Sequence, residues 1–273
     1  VYTGAARYAD VIPALAPVLS GPYSLDPVYR HLFEADNNTS PEIIFPIVED
    51  GMHTQSFGGT TFLIHAACGG SMANADYGVD GCWWGIRLRP ETYNRVNGDP
   101  RHPYLYTNGQ TVEISNVFNF PDGIAAPKFI NKKRDGSPGS NAQFSDVDFP
   151  LFRLGDAYLM YAEAAVRTNS NLGQALTYVN QLRERAYGDD SGNIEADDLT
   201  LPFILNERGR ELLWEAQRRT DLVRFGLFTG GSFIWSWKGN VKDGKSTPDY
   251  LNLYPIPATQ LSANPNLTQN PGY

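Results

Sequence analysis

Long hydrophobic runs are absent from this sequence of 273 residues. It contains no stretch of about eighteen apolar residues, and its longest apolar stretch, around residues 42–48, has the length of a β-strand. The sequence therefore predicts no membrane-spanning helix. Hydrophobic residues make up 41% of the chain and charged residues 19%, which is typical of a globular protein with a sizeable core.

Cysteine, histidine and basic residues are also scarce. Cys68 and Cys82 are the two cysteines, and their spacing fits neither a zinc site nor a disulfide framework, so their pairing stays open. His53 and His65 have no third metal ligand at a recognised spacing, which favours hydrogen-bonding roles. The 22 basic and 30 acidic side chains give a net charge of -8, which argues against nucleic acid as a partner.

Two oxygen-rich turns, at residues 36–38 and 135–137, are compatible with a calcium ion. Asp, Asn, Gly and Ser are also the residues that form tight turns, and this is the simpler role for both segments. We therefore predict no cofactor and keep calcium as the alternative.

Aromatic residues, in contrast, are plentiful, with 15 Tyr, 14 Phe and 5 Trp. Several of them lie among glycines in residues 21–150, where turn signals such as Gly58–Gly59 and Asn97–Gly98 separate short extended pieces. Exposed rings usually serve a function. We predict that residues 21–150 form a loop-rich ligand-binding region.

The N-terminal segment shows helical spacing. Apolar residues recur every three or four positions between Tyr8 and Leu19, but Pro13 and Pro17 predict a short or kinked helix, the end of an upstream repeat in residues 1–20.

Three more helices are expected near 153–167, 172–186 and 201–224, before an irregular C-terminus. The first two would pack antiparallel as one tetratricopeptide-like unit, which normally stacks on neighbouring repeats.

Several segments resemble the SusD/RagB family over essentially the whole chain. The longest match is FPLFRLGDAYLMYAEA at residues 149–164. The other matching segments are residues 180–186, ERGREL at 207–212, RRTDLVRFG at 218–226, YPIP at 254–257 and NPNLTQNPGY at 264–273. Residues 50–62 and 69–72 resemble the starch-binding branch of the family.

The resemblance implies a mainly α-helical fold of tetratricopeptide-like repeats with long irregular loops. It also implies a non-catalytic, lipid-anchored protein of the outer-membrane surface that binds glycans such as starch and works with a SusC-like TonB-dependent transporter. Residues 151–273 would be the C-terminal region of the family. The chain is expected to start inside a longer protein, so the N-terminal half and the lipid anchor would lie upstream.

A protein that holds a sugar in water needs flat aromatic rings for its CH faces and polar groups for its hydroxyls. The candidate ring platforms are Trp83, Trp84, Tyr77 and Phe57, and the candidate hydrogen-bonding residues are His53, Asn74, Asp76 and Arg87. In an extended backbone the two adjacent indoles would point to opposite sides, one to ligand and one to the core. For each ring a core position is the alternative, and for Arg87 an ion pair with a nearby acid.

Two other functions compete with glycan binding. A glycoside hydrolase needs two carboxylates flanking the scissile bond, and Asp76, Asp80 and Glu91 are candidates that no motif places. A repeat-type protein-interaction module would use its helices to dock a peptide.

Two further features of the C-terminal region have alternative roles. The charged segment 207–224, with Trp214 as a core residue, is predicted to be structural through pairs at helical spacing, such as Arg208 with Glu211 and Glu215 with Arg218. Trp235 and Trp237 suggest an interface or a second sugar contact.

Overall fold

The computed structural model describes residues 5–273, and their fold is mainly α-helical, as the sequence predicts. Val1–Gly4, the start of the segment 1–20, lie outside the described residues. The helices and strands are α1 (Val11–Leu19), β1 (Ile43–Ile47), α2 (Gly59–Ala66), α3 (Pro90–Val96), β2 (Phe149–Arg153), α4 (Leu154–Thr168), α5 (Leu172–Tyr187), α6 (Leu201–Glu211), α7 (Arg218–Arg224) and α8 (Ala258–Ala263).

The helix pair α4 and α5 forms the predicted repeat unit. Each helix begins and ends within one residue of its predicted bounds, and only residues 169–171 join the two, so they run antiparallel. Tyr158 stacks on Tyr178 with ring centroids 4.2 Å apart. Small apolar side chains such as Ala162 and Ala175 are completely buried between the helices. The tetratricopeptide-like character therefore follows from the apolar periodicity alone.

Helix α1 packs against α4 and is short, as its prolines predict. It spans nine residues and contains Pro17. Ile12 and Leu15 pack against the same apolar cluster as the α4–α5 pair. The N-terminal segment thus extends the helical layer of the repeat.

The third predicted helix, near 201–224, is wrong as a single element. Helix α6 ends at Glu211, and α7 begins at Arg218 after left-handed residues at Trp214 and Ala216. In a continued helix the carbonyl oxygens of Glu211 and Leu213 would accept the N–H groups of residues 215 and 217, but here they accept from side chains. Arg153 donates to the Glu211 carbonyl at 2.8 Å and Lys128 to the Leu213 carbonyl at 2.6 Å. Tertiary hydrogen bonds therefore end the helix.

Of the ion pairs predicted from helical spacing, Arg210 with Glu207 is present at 3.0 Å, but others are replaced by tertiary pairs. Arg208 donates to Asp156 at 2.8 Å rather than pairing with Glu211. Glu215 lies beyond the end of α6 and accepts from Arg153 and Lys128, both at 2.6 Å. Trp214 packs against the apolar core, as predicted.

The chain divides into two compact units, one ending at Glu215 and the other comprising Ala216–Tyr273. In the first unit β1 and β2 form a two-stranded antiparallel sheet with Ile47 opposite Phe149. The second unit contains α7, α8 and short turns. None of the helices within residues 5–273 combines the length and the apolar character needed to cross a membrane.

Charged side chains occupy the interior of the first unit. We call them the buried charge network, and its members are Glu42, Arg101, Lys128, Arg153, Arg185, Glu207, Glu211 and Glu215. Arg153 is 1% exposed, and its Nη1 atom lies 2.8 Å from Glu42 and 2.7 Å from Glu211. The network ties the irregular residues 21–150 to α5 and α6.

For the buried ionisable groups of this network, burial and neighbouring charges shift the pKa in opposite directions. Burial alone would raise the pKa of Glu211, but Arg185, Arg153 and Arg101 outweigh it and hold the pKa well below its usual range. Burial lowers the pKa of Lys128 to about 8, partly offset by Glu215. The network is therefore built to hold Glu211 ionised.

Candidate functional site

The segment Cys82–Ile86 lies against the end of α2 and is held there in two ways. Cys68 and Cys82 form a disulfide with Cα atoms 5.1 Å apart, which answers the pairing question that the sequence left open. The Trp83 amide donates to the His65 carbonyl at 2.7 Å, and the Trp84 amide to the Cys68 carbonyl at 3.0 Å. The two indoles therefore start from a fixed backbone.

The expectation that one tryptophan faces ligand and the other the core is wrong. Trp84 has a φ of 59°, in the left-handed region, so the backbone is not extended at this point. Trp83 is 39% exposed and Trp84 is 55% exposed. Each ring instead joins a different aromatic cluster.

Trp83 is the centre of an aromatic cluster, which we call the Trp83 patch and define as the exposed rings of Phe57, Phe62 and Trp83 with the buried His65 beneath them. The Trp83 ring stacks on His65 with centroids 4.5 Å apart, and it lies 6.1 Å from Phe57 and 6.3 Å from Phe62. Phe57 and Phe62 are themselves exposed. The patch thus presents apolar ring surface to solvent.

His65 supports the patch through its stacking contact with Trp83. It is buried, and its two ring nitrogens face backbone carbonyls, with Nδ1 2.6 Å from the Gly81 oxygen and Nε2 3.2 Å from that of Gln143. Phe57 is supported from the side by Phe144, at 5.1 Å between centroids. Because these contacts within the protein hold the rings, the rings need little further ordering to bind a ligand.

Trp84 belongs to a second cluster, with Phe120 and Arg87. The Trp84 and Phe120 ring centroids are 6.1 Å apart, and the Arg87 guanidinium lies 5.5 Å from the Phe120 ring centroid. Arg87 donates to the carbonyls of Gly85, Val117 and Asp122. Burial lowers its pKa, and the nearby Asp122 opposes that shift. All three acceptors are backbone carbonyls, and two of them belong to the loop 111–122, so the main effect of Arg87 is to hold that loop.

The remaining candidates have local partners. His53 is largely exposed and pairs with Asp50 at 2.8 Å. On the short turn Asn74–Tyr77, Asn74 donates to the Asp80 carbonyl at 2.8 Å, and Asp76 is exposed. Tyr77 packs against the core, where burial raises its pKa. The structure therefore brings Phe57 to Trp83 and Arg87 to the Trp84 cluster, and leaves the other four predicted residues outside both aromatic clusters.

The sequence does not identify Phe62, and it predicts a hydrogen-bonding role for His65 but not its stacking on Trp83. Phe62 and His65 both lie on α2, three residues apart, which is the spacing of one helical face. Recognising α2 in this glycine-flanked segment would have linked them. Phe144 and Phe120 come from distant loops and have no comparable sequence signal.

The side chains of the two oxygen-rich turns form hydrogen bonds within the protein. Asn37 is buried and donates to the carbonyls of Leu32 and Asp148. The Asp135 carboxylate accepts from both the amide and the hydroxyl of Ser137. In residues 5–273, no group of three or more His, Cys, Asp or Glu side chains is arranged to hold a metal ion.

With this geometry established, comparison with known proteins identifies the family. Residues 71–273 match the SusD family (SusD_RagB). This chain belongs to that family.

One curated relative is the starch-binding protein SusD of Bacteroides thetaiotaomicron, which is 32% identical over 326 aligned residues. The alignment covers all of this chain and 57% of that protein. SusD-like protein P25 of Formosa agariphila is 32% identical over 162 residues, which cover 56% of this chain and 28% of that one. All of this chain thus aligns with SusD, but it spans little more than half of the length of that protein.

Solved structures show the same fold. Surface glycan-binding protein A from Bacteroides thetaiotaomicron, also solved in complex with laminarihexaose, superposes with a TM-score of 0.71 at 25% identity. The match covers 97% of this chain and 59% of that one. A SusD superfamily protein from Parabacteroides distasonis gives a TM-score of 0.68 at 22% identity, covering 97% and 57% of the two chains.

Proposed function

We propose that this chain provides a glycan-binding surface of a SusD-type capture protein, with the Trp83 patch as its principal aromatic platform. The observation that favours this role is the exposed ring surface of Trp83, Phe57 and Phe62, which rests on a buried histidine. Exposing apolar rings gains nothing for folding, so their exposure points to a ligand.

The chemistry of a pyranose ring fits this surface. Its axial CH groups form an apolar face that packs on an indole, and its hydroxyls bond polar groups at the rim. Asn74, Asp76 and His53 remain the proposed rim residues, and Trp84 and Tyr77 further ring contacts. Arg87 is proposed to contribute mainly by holding the Trp84 cluster.

We propose a glucan as ligand, and an α-glucan such as starch first. The sequence resemblance of the 50–72 region to the starch-binding branch supports this choice, as does the relative named starch-binding protein SusD. The complex of a structural neighbour with laminarihexaose makes a β-glucan the second candidate.

The proposed setting is the outer-membrane surface, with a lipid anchor and an N-terminal half supplied by sequence outside this chain. A SusC-like TonB-dependent transporter is the proposed partner, on family grounds alone. Purification of the full-length protein from outer membranes should recover such a barrel. Repeated recovery without one would contradict the partnership.

The proposed activity is binding without catalysis, in line with curated and structural relatives named for binding. A reducing-sugar assay run beside the binding measurements decides between this proposal and a glycoside hydrolase. Release of reducing ends that depends on Asp76 or Asp80 would support the hydrolase.

The direct test is calorimetric titration of Trp83→Ala with maltohexaose and laminarihexaose. Loss of a central aromatic anchor should weaken binding about thirtyfold, or about 2 kcal/mol. The melting temperature should change little, because the ring is already partly exposed.

Phe118→Ala is the matched control, since that ring is 95% exposed and lies outside the Trp83 patch. It should bind as the wild type does. Unchanged affinity in a folded Trp83→Ala protein would remove the patch from the site.

A further inference from the structure

The second unit contains an aromatic cleft of about 330 Å³ that the proposed function does not use. Its lining includes Phe228, Trp235, Trp237 and Tyr254. A volume of this size, with rings on several sides, is in the range of small-molecule sites. The rings supply the flat apolar surfaces that a sugar face or another planar group requires.

Two cations also line this cleft. Arg219 lies 3.9 Å from the Tyr254 ring centroid and 4.7 Å from that of Phe228. It donates to the carbonyls of Leu251 and Asn252. A guanidinium between two rings keeps its charge while its hydrogen bonds go to neutral groups.

Lys238 is only 2% exposed, although it bears a charge. Its ammonium donates to the carbonyls of Gly230 and Phe233 at 2.9 and 2.7 Å, and it lies 4.5 Å from the Trp235 ring. An ammonium has three N–H donors, so these carbonyls leave one. Burial without an acidic neighbour lowers the pKa of Lys238.

Across the described residues, neither Arg219 nor Lys238 forms an ion pair with a carboxylate. Residues 216–273 contain six Lys or Arg and three Asp or Glu, a net charge of +3 in a chain whose total is -8. The uncompensated positive charge is therefore concentrated in the unit that contains the cleft. Burying a cation without a counter-charge is costly, and a bound anion would relieve that cost.

We propose that this cleft binds a carboxylate-bearing pyranose, such as a hexuronate residue of an acidic glycan. The rings would pack on the sugar face while Lys238 and Arg219 attract its carboxylate, an interaction stronger than a neutral hydrogen bond. This site would select charged sugars, whereas the Trp83 patch has a neutral apolar surface. It is independent of that patch, so either assignment can fail alone.

The test is titration of the wild-type chain with trigalacturonate, with maltotriose as the neutral probe of matched length. Binding of trigalacturonate should weaken as salt increases, because ions screen the charge attraction. Saturating maltohexaose should leave this binding unchanged, since the two probes occupy different sites. Full displacement by maltohexaose, or no trigalacturonate binding at all, would overturn the proposal without using a variant.

Variants then locate the site. Trp237→Ala should abolish trigalacturonate binding and keep maltohexaose binding, and Trp83→Ala should do the reverse. Lys238→Gln keeps hydrogen-bond donors but removes the charge, and should weaken trigalacturonate binding about tenfold. Circular dichroism melts confirm that each variant is folded. If folded Trp237→Ala and Lys238→Gln proteins bind trigalacturonate normally, the cleft is not its site.

Discussion

The buried charge network and the Trp83 patch invert the usual distribution of side chains. In the network, guanidinium and carboxylate groups are almost completely enclosed. In the patch, tryptophan and phenylalanine rings are exposed. Charged groups are rarely buried unless paired, and contiguous aromatic surface is rarely exposed without a ligand. The network therefore shows how the fold is held together, and the patch is the surface that we propose to bind ligand.

The difference shows how an irregular region acquires one conformation. Residues 21–150 have few long elements to set their position, and apolar contacts are non-directional. The planar guanidinium group of Arg153 donates in fixed directions, so its carboxylate acceptors must lie at set positions. These acceptors are Glu42, Glu211 and Glu215. We infer that the network specifies where the loops lie, and that the loops in turn support the patch.

The largest expected effect comes from breaking the network. Glu211→Ala should lower the free energy of unfolding by about 3–5 kcal/mol, because it leaves buried guanidinium groups without a counter-charge. Denaturant unfolding followed by tryptophan fluorescence measures the loss. Asp10→Ala is the control, since its partner Arg7 is exposed and such pairs contribute little.

A loss below about 1 kcal/mol for Glu211→Ala, similar to that expected for the control, would contradict the structural role of the network. In that case the fold would accommodate the buried charges, but its conformation would not depend on them.

A smaller effect should appear as a pH dependence at the edge of the network. Burial, reinforced by the charge of Arg101, lowers the pKa of His102 to about 3. Below pH about 6.5 the unfolded imidazole takes up a proton that the folded one does not, so stability must fall as pH falls. Between pH 6.5 and 4.5 the loss from this group should reach about 2–3 kcal/mol.

His102→Gln checks this assignment, because it removes the titrating ring and keeps a polar side chain near Tyr104. The unfolding free energy of this variant should decline less steeply over the same pH range. An equal slope in both proteins would assign the acid sensitivity to other groups.

The smallest effect on stability is expected in the Trp83 patch. Phe57→Ser should change the free energy of unfolding by less than about 0.5 kcal/mol, because the ring is 59% exposed. Glycan affinity, measured by calorimetry, should still fall severalfold. A large loss of stability would show that the patch is part of the core and would weaken the contrast with the network.

Helices with strong local periodicity were predictable from the sequence. Helices α4 and α5 bury small apolar side chains at regular spacing, and their bounds were predicted within one residue. Helix α6 was predictable only to Glu211, since its end depends on Arg153 and Lys128, which come from elsewhere in the chain. A periodic pattern of apolar residues does not reveal that a distant side chain donates a hydrogen bond to a carbonyl of the helix backbone.

The candidate site was predictable in composition but not in arrangement. The sequence suggested Trp83, Trp84 and Phe57 as sugar platforms, yet the expected division of the two indoles between ligand and core assumed an extended backbone. The left-handed φ of Trp84 places the rings in separate clusters. The Cys68–Cys82 disulfide likewise joins residues whose spacing in sequence gave no sign of pairing.

The sequence by itself determined the family, the helical class and the α4–α5 repeat, because long motifs and apolar periodicity are local properties of the chain. Tertiary structure alone decided that Phe62 and His65 join Trp83, that Arg87 holds a loop, and that Arg153 has three carboxylate partners. These contacts connect residues many positions apart. They are set by how the loops pack on the helices, and composition and spacing do not encode that packing in any short segment.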